Sequence, residues 1–575
     1  MGMTMGLPLR RRLDRPAAVA AIAVAVGVAV ACRRAWVCDD AFISFRYADN
    51  LVDGLGLVFN AGERVEGYTN LLWTLFIALG LRLGSDPEVW AVVWGLLFWA
   101  GTLILLAMAT RRNDADGRPT LPLAAMAAAV HLELATFATG GLETPLFTFL
   151  VLAGFVLLRD AVTTRRAVQA GLVVGLAALT RPDGAVFFVV GLPYLVWVAR
   201  PALHRVAGFA GAFASLWIPM TLWRLSYYGD WLPNTYYAKS ADLAWWSQGF
   251  TYLGLYFAKY WMLLLAFPAL GLLAWRARAT TGGAEPCRRS FREASLALGM
   301  AGAYGVLVAR VGGDFMFARL LLPVTPLLLV VIEEALRSTA VRRPRVGVAA
   351  AVALTLAVAT ARSPFSRPGQ FISGIADEWD YYNRFAPDWG AWSHHRAMVL
   401  QRMFRGLGVR VAFLAAEARM VYYARFPVAV ECETGLTDRV VARQPLSSRH
   451  RVGHEKKAPV PYILEQRKLH FIRPSEANSP DLPLDDYIPE LRVRFGPGVV
   501  ARALWWDAPL MTELVRRGAL VPDPRIMIDA DLRALRGGPK QEVARRYARW
   551  RRFYFDHVND AARAAAFEAL LHHAR

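Results

Sequence analysis

Long apolar runs recur through about the first 360 residues of this 575-residue chain, and they limit its possible folds more than any other feature. Runs of about 18 or more apolar residues are typical of helices that cross a membrane. The apolar segments lie near 16–32, 71–83, 87–110, 120–139, 143–159, 167–180, 184–199, 206–224, 251–275, 293–310, 317–335 and 345–361. We therefore expect a mainly α-helical, polytopic membrane protein.

The arginines between these segments indicate the topology. If segment 71–83 crossed the membrane, the connections that hold Arg111, Arg159 and Arg342 would face outward, against the positive-inside rule. If it instead lies along the outer surface as an interfacial helix, every such connection becomes cytoplasmic. This choice predicts about eleven spans in a bundle, an outer loop at 33–86, an N-terminus inside and a C-terminus outside.

The composition changes after residue 361, where Pro, Asp, Glu and His replace the long apolar runs. We predict a membrane domain over residues 1–361 and an extracytoplasmic soluble α/β domain over residues 362–575. Short apolar stretches bounded by turn residues are typical of strands. Strands are predicted at 409–413, 428–431 and 469–472.

The formal net charge of +20 does not require a nucleic-acid partner. Only six of the 66 basic residues are lysines, and the chain has neither zinc-finger spacing nor a separate basic tail. Membrane lipids and lipid phosphates are the expected counter-charges. The four cysteines show no CxxC spacing, and phosphate-binding GxxxxGK[ST] and HExxH motifs are absent.

Five polar clusters fall on the predicted outer face. They are Asp39 with Asp40, residues 141–145, residues 181–183, residues 233–239, and residues 312–314 with Arg319. Ionisable groups at a membrane are costly and therefore indicate function. The connecting arginines alone decided the topology, so the agreement among the clusters is independent support for it.

Asp39 and Asp40 follow the first apolar segment directly. One aspartate could simply cap the helix predicted after residue 40. Two carboxylates at a membrane boundary also fit a general base for an acceptor hydroxyl, with the second orienting that hydroxyl or a cation. Both interpretations stay open, and the two roles can coexist.

Two further clusters each allow two interpretations. Pro182 could start a helix after a simple turn, or Arg181 could bind a lipid-linked phosphate. The tyrosines at 233–239 could belong to an aromatic belt at the membrane interface. Alternatively they line a sugar site in which Lys239 supplies positive charge.

The remaining polar residues have structural alternatives as well. Asp314 and Arg319 could be a flexible turn that ends in a snorkelling arginine. Glu143 could begin a helix, where a carboxylate suits the dipole. Arg46 and Glu66 could be solvated surface.

Seven short runs carry a resemblance to a known family. They are DDAFISFRY at 39–47, NAGERVEGYTN at 60–70, GLETP at 141–145, TRPDG at 180–184, GGD at 312–314 with Arg319, GLTD at 435–438 and GHEK at 453–456. Together with one span before the acidic pair and many after it, they resemble the GT-C superfamily of membrane glycosyltransferases. The likeness is to the bacterial branch that contains the mycobacterial terminal arabinofuranosyltransferase.

This resemblance implies an enzyme of the bacterial cytoplasmic membrane that transfers a sugar, arabinofuranose or another pentose or hexose, with inversion. The donor would be a polyprenyl-phosphate sugar and the acceptor an envelope glycan or glycolipid. Asp39 would be the general base, with Asp40 assisting or exchanging roles. No cofactor or metal cage is implied, although two carboxylates could hold a divalent cation.

The resemblance also implies two groups of binding residues. Arg181, Lys239 and Arg319 would hold the donor phosphate. The substrate pocket would contain Arg46, Glu66, Glu143, Asp183, Asn234, Tyr236, Tyr237, Asp314 and His454.

Two other functions remain as alternatives. A transporter or flippase of lipid-linked sugars predicts inverted repeats and broken helices near the bilayer midplane, and the sequence shows neither. A non-catalytic envelope or flagellar motor-associated protein would tolerate loss of charge at Asp39 and Asp40. Polar groups gathered at the membrane rim favour the glycosyltransferase.

Overall fold

The computed structural model describes most of the chain. The described residues are 15–110, 121–198, 202–279, 285–340, 344–413, 417–446, 449–459, 461–471, 493–494, 500–501, 508–521, 523–556 and 558–574. The arginine connections at 111–112, 200 and 342–343, and residue 472 of the third predicted strand, lie outside these ranges.

Helices dominate the described residues. They are α1 Arg15–Arg33, α2 Ala41–Val52, α3 Leu71–Arg82, α4 Pro87–Ala109, α5 Leu123–Ala129, α6 Leu132–Phe137, α7 Thr144–Arg159, α8 Thr164–Thr180, α9 Ala185–Val198, α10 Leu203–Tyr228, α11 Asn234–Ala238, α12 Trp246–Lys259, α13 Ala266–Ala279, α14 Glu285–Arg310, α15 Thr325–Ala340, α16 Pro344–Ala359, α17 Glu378–Asp380, α18 Trp389–Phe404, α19 Ala418–Ala424, α20 Arg439–Ala442, α21 Ala508–Arg516, α22 Pro524–Ala534, α23 Lys540–Trp550 and α24 Ala561–His573.

Within the described ranges the strands are short and form three small sheets. They are β1 Phe371–Ile372, β2 Ile375–Ala376, β3 Arg410–Phe413, β4 Val428–Glu431, β5 His470–Phe471, β6 Val493–Arg494 and β7 Val500–Ala501. β1 pairs with β2 and β6 with β7, both antiparallel, whereas β4, β3 and β5 form a parallel sheet in that order.

The chain divides into two compact units. The helical unit comprises Met1–Cys38, Thr69–Trp231 and Leu243–Phe385, and the sheet unit comprises Asp39–Tyr68, Leu232–Asp242 and Ala386–Arg575. Two segments before residue 361 thus belong to the sheet unit, and residues 362–385 belong to the helical unit. The domains 1–361 and 362–575 stay a prediction.

The helical unit has helices that suit a lipid environment. Pro16–Arg33, Pro87–Ala109, Leu203–Tyr228 and Trp261–Arg278 are long and apolar enough to cross a membrane, and four shorter apolar helices accompany them among the described residues. On α4 the buried face carries Ala91, Trp99 and Leu103. The exposed apolar residues of α4 are Val89, Val93, Leu97, Ile104 and Met108. Such a stripe at helical spacing fits contact with lipid rather than water.

Helix α3 is the segment on which the predicted topology depends. Its 12 residues extend about 18 Å, well short of a hydrocarbon core of about 30 Å. Trp73 fixes it by donating from Nε1 to the Gly141 carbonyl at 3.1 Å. This length agrees with an interfacial helix, while the eleven spans and their direction stay predictions.

The sheet unit contains the strands expected near residues 410, 430 and 470, which confirms those three strand predictions. Arg410 pairs with Val428 and Phe413 with Glu431, and α19 connects β3 to β4. Their inner side chains pack into one core, which includes Ala412, Val430, Cys432, Val441 and Leu469. Helices α22 to α24 enclose a separate small core of Ile528, Leu535, Val543, Trp550, Tyr554 and Phe567.

Candidate active site

The sheet unit holds Asp39 with both carboxylate oxygens occupied by backbone donors. Oδ2 accepts from the Ala418 N–H at 2.8 Å and Oδ1 from the Arg419 N–H at 3.0 Å. These N–H groups open α19, so Asp39 caps a helix 379 positions along the chain. Burial raises the pKa of Asp39 to about 6, although the two backbone hydrogen bonds oppose the shift and the Asp40 charge adds to it.

Asp40 occupies a different environment from its neighbour. It stands at the N-cap position of α2, but its side chain makes no capping hydrogen bond there. It is partly exposed, whereas Asp39 is only 6% exposed. The capping interpretation is therefore wrong for α2, since the aspartate that caps a helix is Asp39 and the helix is α19.

Arg46 is buried, so the interpretation as solvated surface is wrong for it. Its guanidinium donates to the carbonyls of Phe59 at 2.7 Å, Phe426 at 2.6 Å and Val421 at 3.2 Å. Bonds to three separate stretches of backbone fix the 39–68 segment to the strand–helix core of the sheet unit. The geometry gives Arg46 a structural task, and its predicted pocket role stays untested.

Asn234 and Glu66 meet at another fixed junction in the sheet unit. The Asn234 backbone N–H donates to the Glu66 carbonyl at 2.9 Å. The Asn234 side-chain amide donates to the carbonyls of Gly435 and Leu436, each at 2.9 Å. Glu66 is only 3% exposed, which also excludes a solvated surface position. Two runs that carried the resemblance, 60–70 and 435–438, therefore meet at the polar segment that contains Asn234.

Cationic side chains gather around His454 in the sheet unit. Gly453 lies against the aliphatic part of Lys239, with 3.5 Å between its ideal Cβ position and Lys239 Cε. Burial lowers the pKa of His454 to about 3, and the charges of Arg451 and Lys239 contribute. The imidazole is thus neutral at physiological pH.

The tyrosines next to this group are ordered by ring contacts. Tyr236 and Tyr237 pack edge to face with centroids 5.6 Å apart. The Arg443 guanidinium carbon lies 4.0 Å from the Tyr237 ring centroid. Arg443 was not predicted, and it adds one more cation to this side of the sheet unit.

The helical unit holds a second polar cluster, centred on Arg181. Its Nη1 donates to Glu143 at 2.7 Å and its Nη2 to Asp183 at 2.8 Å. The Tyr304 hydroxyl donates to Asp183 at 3.0 Å, and the Asn70 amide donates to Glu143 at 3.1 Å. Burial alone would lower the pKa of Arg181, but Asp183, Tyr304 and Glu143 raise it well above its ordinary value.

Asp314 and Arg319 join this cluster. Arg319 Nε lies 2.7 Å from Asp314 Oδ2, and both side chains are buried. The positive charges of Arg181 and Arg319 lower the pKa of Glu143, although burial alone would raise it. With all five groups ionised, two arginines face three carboxylates, and the formal charge is −1.

Hydrogen bonds hold the turn that carries Asp314, and the flexible-turn interpretation stays untested. Gly312 and Gly313 adopt φ values of 86° and 73°, which favour glycine. The Tyr252 hydroxyl donates to the Met316 carbonyl at 3.0 Å and accepts from the Leu320 N–H at 3.1 Å. Arg319 is buried, which excludes the snorkelling arginine of that interpretation.

The structure thus assigns the predicted residues to two groups. The sheet unit contains Asp39, Asp40, Arg46, Glu66, Asn234, Tyr236, Tyr237, Lys239 and His454, and the helical unit contains Glu143, Arg181, Asp183, Asp314 and Arg319. Their meeting in one cavity stays a prediction. Among the described ranges, no group of three or more His, Cys, Asp or Glu side chains could hold a metal ion.

Sequence reasoning missed a buried cluster in the helical unit. Glu133 binds both Lys259 and the Tyr260 hydroxyl through short hydrogen bonds. His131 stacks on Tyr260 with 3.9 Å between ring centroids and lies 3.2 Å from the Tyr256 hydroxyl. Lys259 was available as a signal, since it is one of six lysines and falls within an apolar segment.

Comparison with known proteins identifies two related sequences and one fold. The terminal β-(1→2)-arabinofuranosyltransferase of Mycobacterium tuberculosis is 32% identical over 321 residues, which cover 50% of this chain and 51% of that protein. The protein of the same name from Corynebacterium glutamicum is 32% identical over 328 residues, or 52% and 47% of the two chains. The chain thus spans about half the length of these curated relatives. No family model matches it.

Among solved structures, ArnT from Cupriavidus metallidurans in the apo state gives a TM-score of 0.52 at 14% identity. The match covers 85% of this chain and 96% of ArnT. The structure of ArnT bound to undecaprenyl phosphate gives a TM-score of 0.48 over 73% of this chain and 86% of ArnT. At this identity the likeness concerns the fold alone.

These findings confirm the predicted resemblance and the mainly α-helical fold class. Four helices among the described residues are long and apolar enough to cross a membrane, which agrees with a membrane protein. The chain therefore has a fold like that of ArnT, and its relatives over about half its length carry the name terminal arabinofuranosyltransferase.

Proposed function

We propose that this protein is a membrane glycosyltransferase that moves a sugar from a polyprenyl-phosphate donor to an envelope glycan or glycolipid. The names of the two curated relatives support arabinofuranose as the sugar. The observation that carries the proposal is the acid pair, in which a clamped Asp39 adjoins a partly exposed Asp40. A rigid support beside an accessible carboxylate is what a positioned general base requires.

The geometry favours Asp40 as the base, the reverse of the order that the resemblance implies. Both oxygens of Asp39 already accept backbone hydrogen bonds, so we assign it the positioning of α2 against α19. Asp40 then takes the proton from the acceptor hydroxyl. The hydroxyl oxygen attacks the anomeric carbon as the bond from that carbon to the phosphate oxygen breaks, which inverts the configuration.

The leaving polyprenyl phosphate keeps the electron pair of the broken bond, so negative charge develops on its oxygen. Preorganised cations stabilise such charge in the transition state. Lys239 and Arg451 beside a neutral His454 supply positive charge in the sheet unit. Arg181 and Arg319 suit this role less well, because Glu143, Asp183 and Asp314 already neutralise them.

Turnover by the full-length protein in nanodiscs tests the assignment. The assay supplies polyprenyl-phosphate arabinofuranose and a synthetic octyl di-arabinofuranoside, and mass spectrometry measures the product. Asp40→Asn should reduce turnover at least about a hundredfold with unchanged folding, because removal of a general base costs about 10² to 10⁴ in rate. Asp53→Asn is the matched control, since Asp53 is an exposed acid at the end of the same helix. Full activity of Asp40→Asn would refute the base assignment.

We further propose that the sheet unit faces the extracytoplasmic side of the bacterial cytoplasmic membrane. Cys38 and Cys432 are buried, so an impermeant maleimide can reach neither in the folded protein. In a Cys32→Ser background, an exposed Ala544→Cys on α23 should react in intact cells, while Cys287 should react only after lysis. Labelling of Cys287 from outside would overturn the topology.

A further inference from the structure

Helix α18 carries two tryptophans and an arginine on one face in the sheet unit. Trp389, Trp392 and Arg396 follow at spacings of three and four residues, which brings their side chains together. The two indole rings lie 5.1 Å apart, and the Arg396 guanidinium carbon lies 3.0 Å from the Trp392 ring centroid. Both tryptophans are only half-buried.

Arg396 is only 7% exposed. Its Nε and Nη1 atoms are buried and meet no hydrogen-bond acceptor in the described part of the chain. Buried guanidinium donors are nearly always satisfied, so such a group calls for an explanation. Burial lowers the pKa of Arg396 to about 10, although the negative charge of Glu417 opposes this shift. The side chain is therefore still a cation at neutral pH.

This face belongs to the same packing group as the acid pair. Helix α18 packs against α19, and α19 packs against α2. Glu417, whose charge acts on Arg396, directly precedes the two residues whose N–H groups bind Asp39. Arg419 of α19 also contacts α2, since its guanidinium carbon lies 4.6 Å from the Phe42 ring centroid. All these residues lie within the sheet unit.

We propose that Trp389, Trp392 and Arg396 form the subsite that binds the acceptor saccharide, an inference that rests on the proposed transfer reaction. A half-exposed indole offers an apolar face to the C–H side of a furanose ring. The Arg396 guanidinium, which stacks on Trp392, would donate to hydroxyl or ring oxygens of that sugar. The acceptor is the favoured occupant because the acid pair in the same helix group takes the acceptor proton.

Steady-state kinetics of the full-length protein in nanodiscs test the subsite, with polyprenyl-phosphate arabinofuranose and the octyl di-arabinofuranoside as substrates. Arg396→Ala should raise the acceptor KM about tenfold or more, because charged hydrogen bonds are lost. The donor KM and kcat should change less than about twofold. Arg402→Ala is the matched control, since Arg402 is an exposed arginine on the same helix.

Ligand-observed NMR gives a readout that needs no turnover. Saturation transfer to the octyl di-arabinofuranoside should be present in wild type and Arg402→Ala and lost in Arg396→Ala. Trp389→Ala provides a second variant should Arg396→Ala fail to fold, and it should weaken the same signal. A raised donor KM with an unchanged acceptor KM would overturn the acceptor assignment, as would full retention of the NMR signal in both variants.

The two proposals fail in distinguishable ways. Absence of transfer by wild type, together with acceptor binding that Arg396→Ala abolishes, would count against the transfer reaction and support a saccharide site. Transfer by wild type with unaltered acceptor kinetics in Arg396→Ala and Trp389→Ala would refute the subsite alone.

Discussion

The two polar clusters of this protein handle charge in opposite ways. In the helical unit, Arg181 binds Glu143 and Asp183, and Arg319 binds Asp314, so carboxylates outnumber arginines. In the sheet unit, cationic Lys239, Arg451 and Arg443 gather around a neutral histidine and a tyrosine pair. A cluster whose arginines are already paired with carboxylates is suited to hold helices in place, whereas a cation-rich cluster is suited to meet an anionic substrate.

The acidic residues differ between the units in the same way. Glu143 and Asp183 are bound by the guanidinium group of Arg181. Asp39 is bound by uncharged backbone N–H groups, and burial raises its pKa to about 6. An acid with a pKa near the working pH can change its protonation state, so chemistry is expected beside Asp39 rather than beside Glu143.

Removal of Arg181 should produce the largest effect and should act on folding. Arg181→Ala strands two carboxylates, of which Glu143 is buried, and an unpaired buried charge costs about 3 to 5 kcal/mol. We expect the free energy of unfolding to fall by that amount in a denaturant titration in mixed micelles. Arg165→Ala, at an exposed arginine of α8, should stay within about 0.5 kcal/mol of wild type.

The same variant also tests whether the helical-unit cluster has a catalytic role. Preserved stability of Arg181→Ala, combined with a large loss of turnover, would mean that Arg181 contacts the donor phosphate after all. The helical-unit cluster would then be catalytic rather than positioning.

Removal of Lys239 should produce the next largest effect and should act on rate. Loss of one preorganised charge beside a leaving oxygen costs about 10² to 10³ in kcat, so Lys239→Ala should lose about a hundredfold in turnover. The melting temperature in nanodiscs should change little, because Lys239 is an exposed residue that directly follows a five-residue helix. Lys457→Ala, at an exposed lysine, is the control and should keep full activity. Equal turnover of the two variants would remove Lys239 from the phosphate site.

Sequence patterns predicted the clusters well because polar residues in apolar surroundings stand out. The Glu143, Arg181 and Asp183 group and the 234–239 segment were recognisable for that reason. Strands β3 and β4 were recognisable from short apolar runs between turn residues.

Patterns failed where a partner lies far along the chain. The cap that Asp39 provides for α19 spans 379 positions, and no local signal reports it. The attachment of the 39–68 segment to the sheet through Arg46 has the same origin. Trp389, Trp392 and Arg396 did carry a local signal, their helical spacing, but their residue types alone indicate ordinary packing. The observation that drew attention to that face is that Arg396 Nε and Nη1 meet no acceptor among the described residues.

The pH dependence of turnover should show the smallest effect, and it tests the role of Asp39 in the sheet unit. Below pH 6 Asp39 gains a proton, and one of its oxygens can no longer accept freely from Ala418 or Arg419. The support of Asp40 is then lost, so kcat/KM should rise with pH through about 6 and fall about tenfold from pH 7 to pH 5. Asp39→Asn should have low activity without this inflection. Glu431→Gln is the control, because burial also raises the pKa of Glu431, to about 7, but its carboxylate closes a local turn with Glu433 and Thr434. Loss of the inflection in Glu431→Gln but not in Asp39→Asn would move the titrating support away from the acid pair.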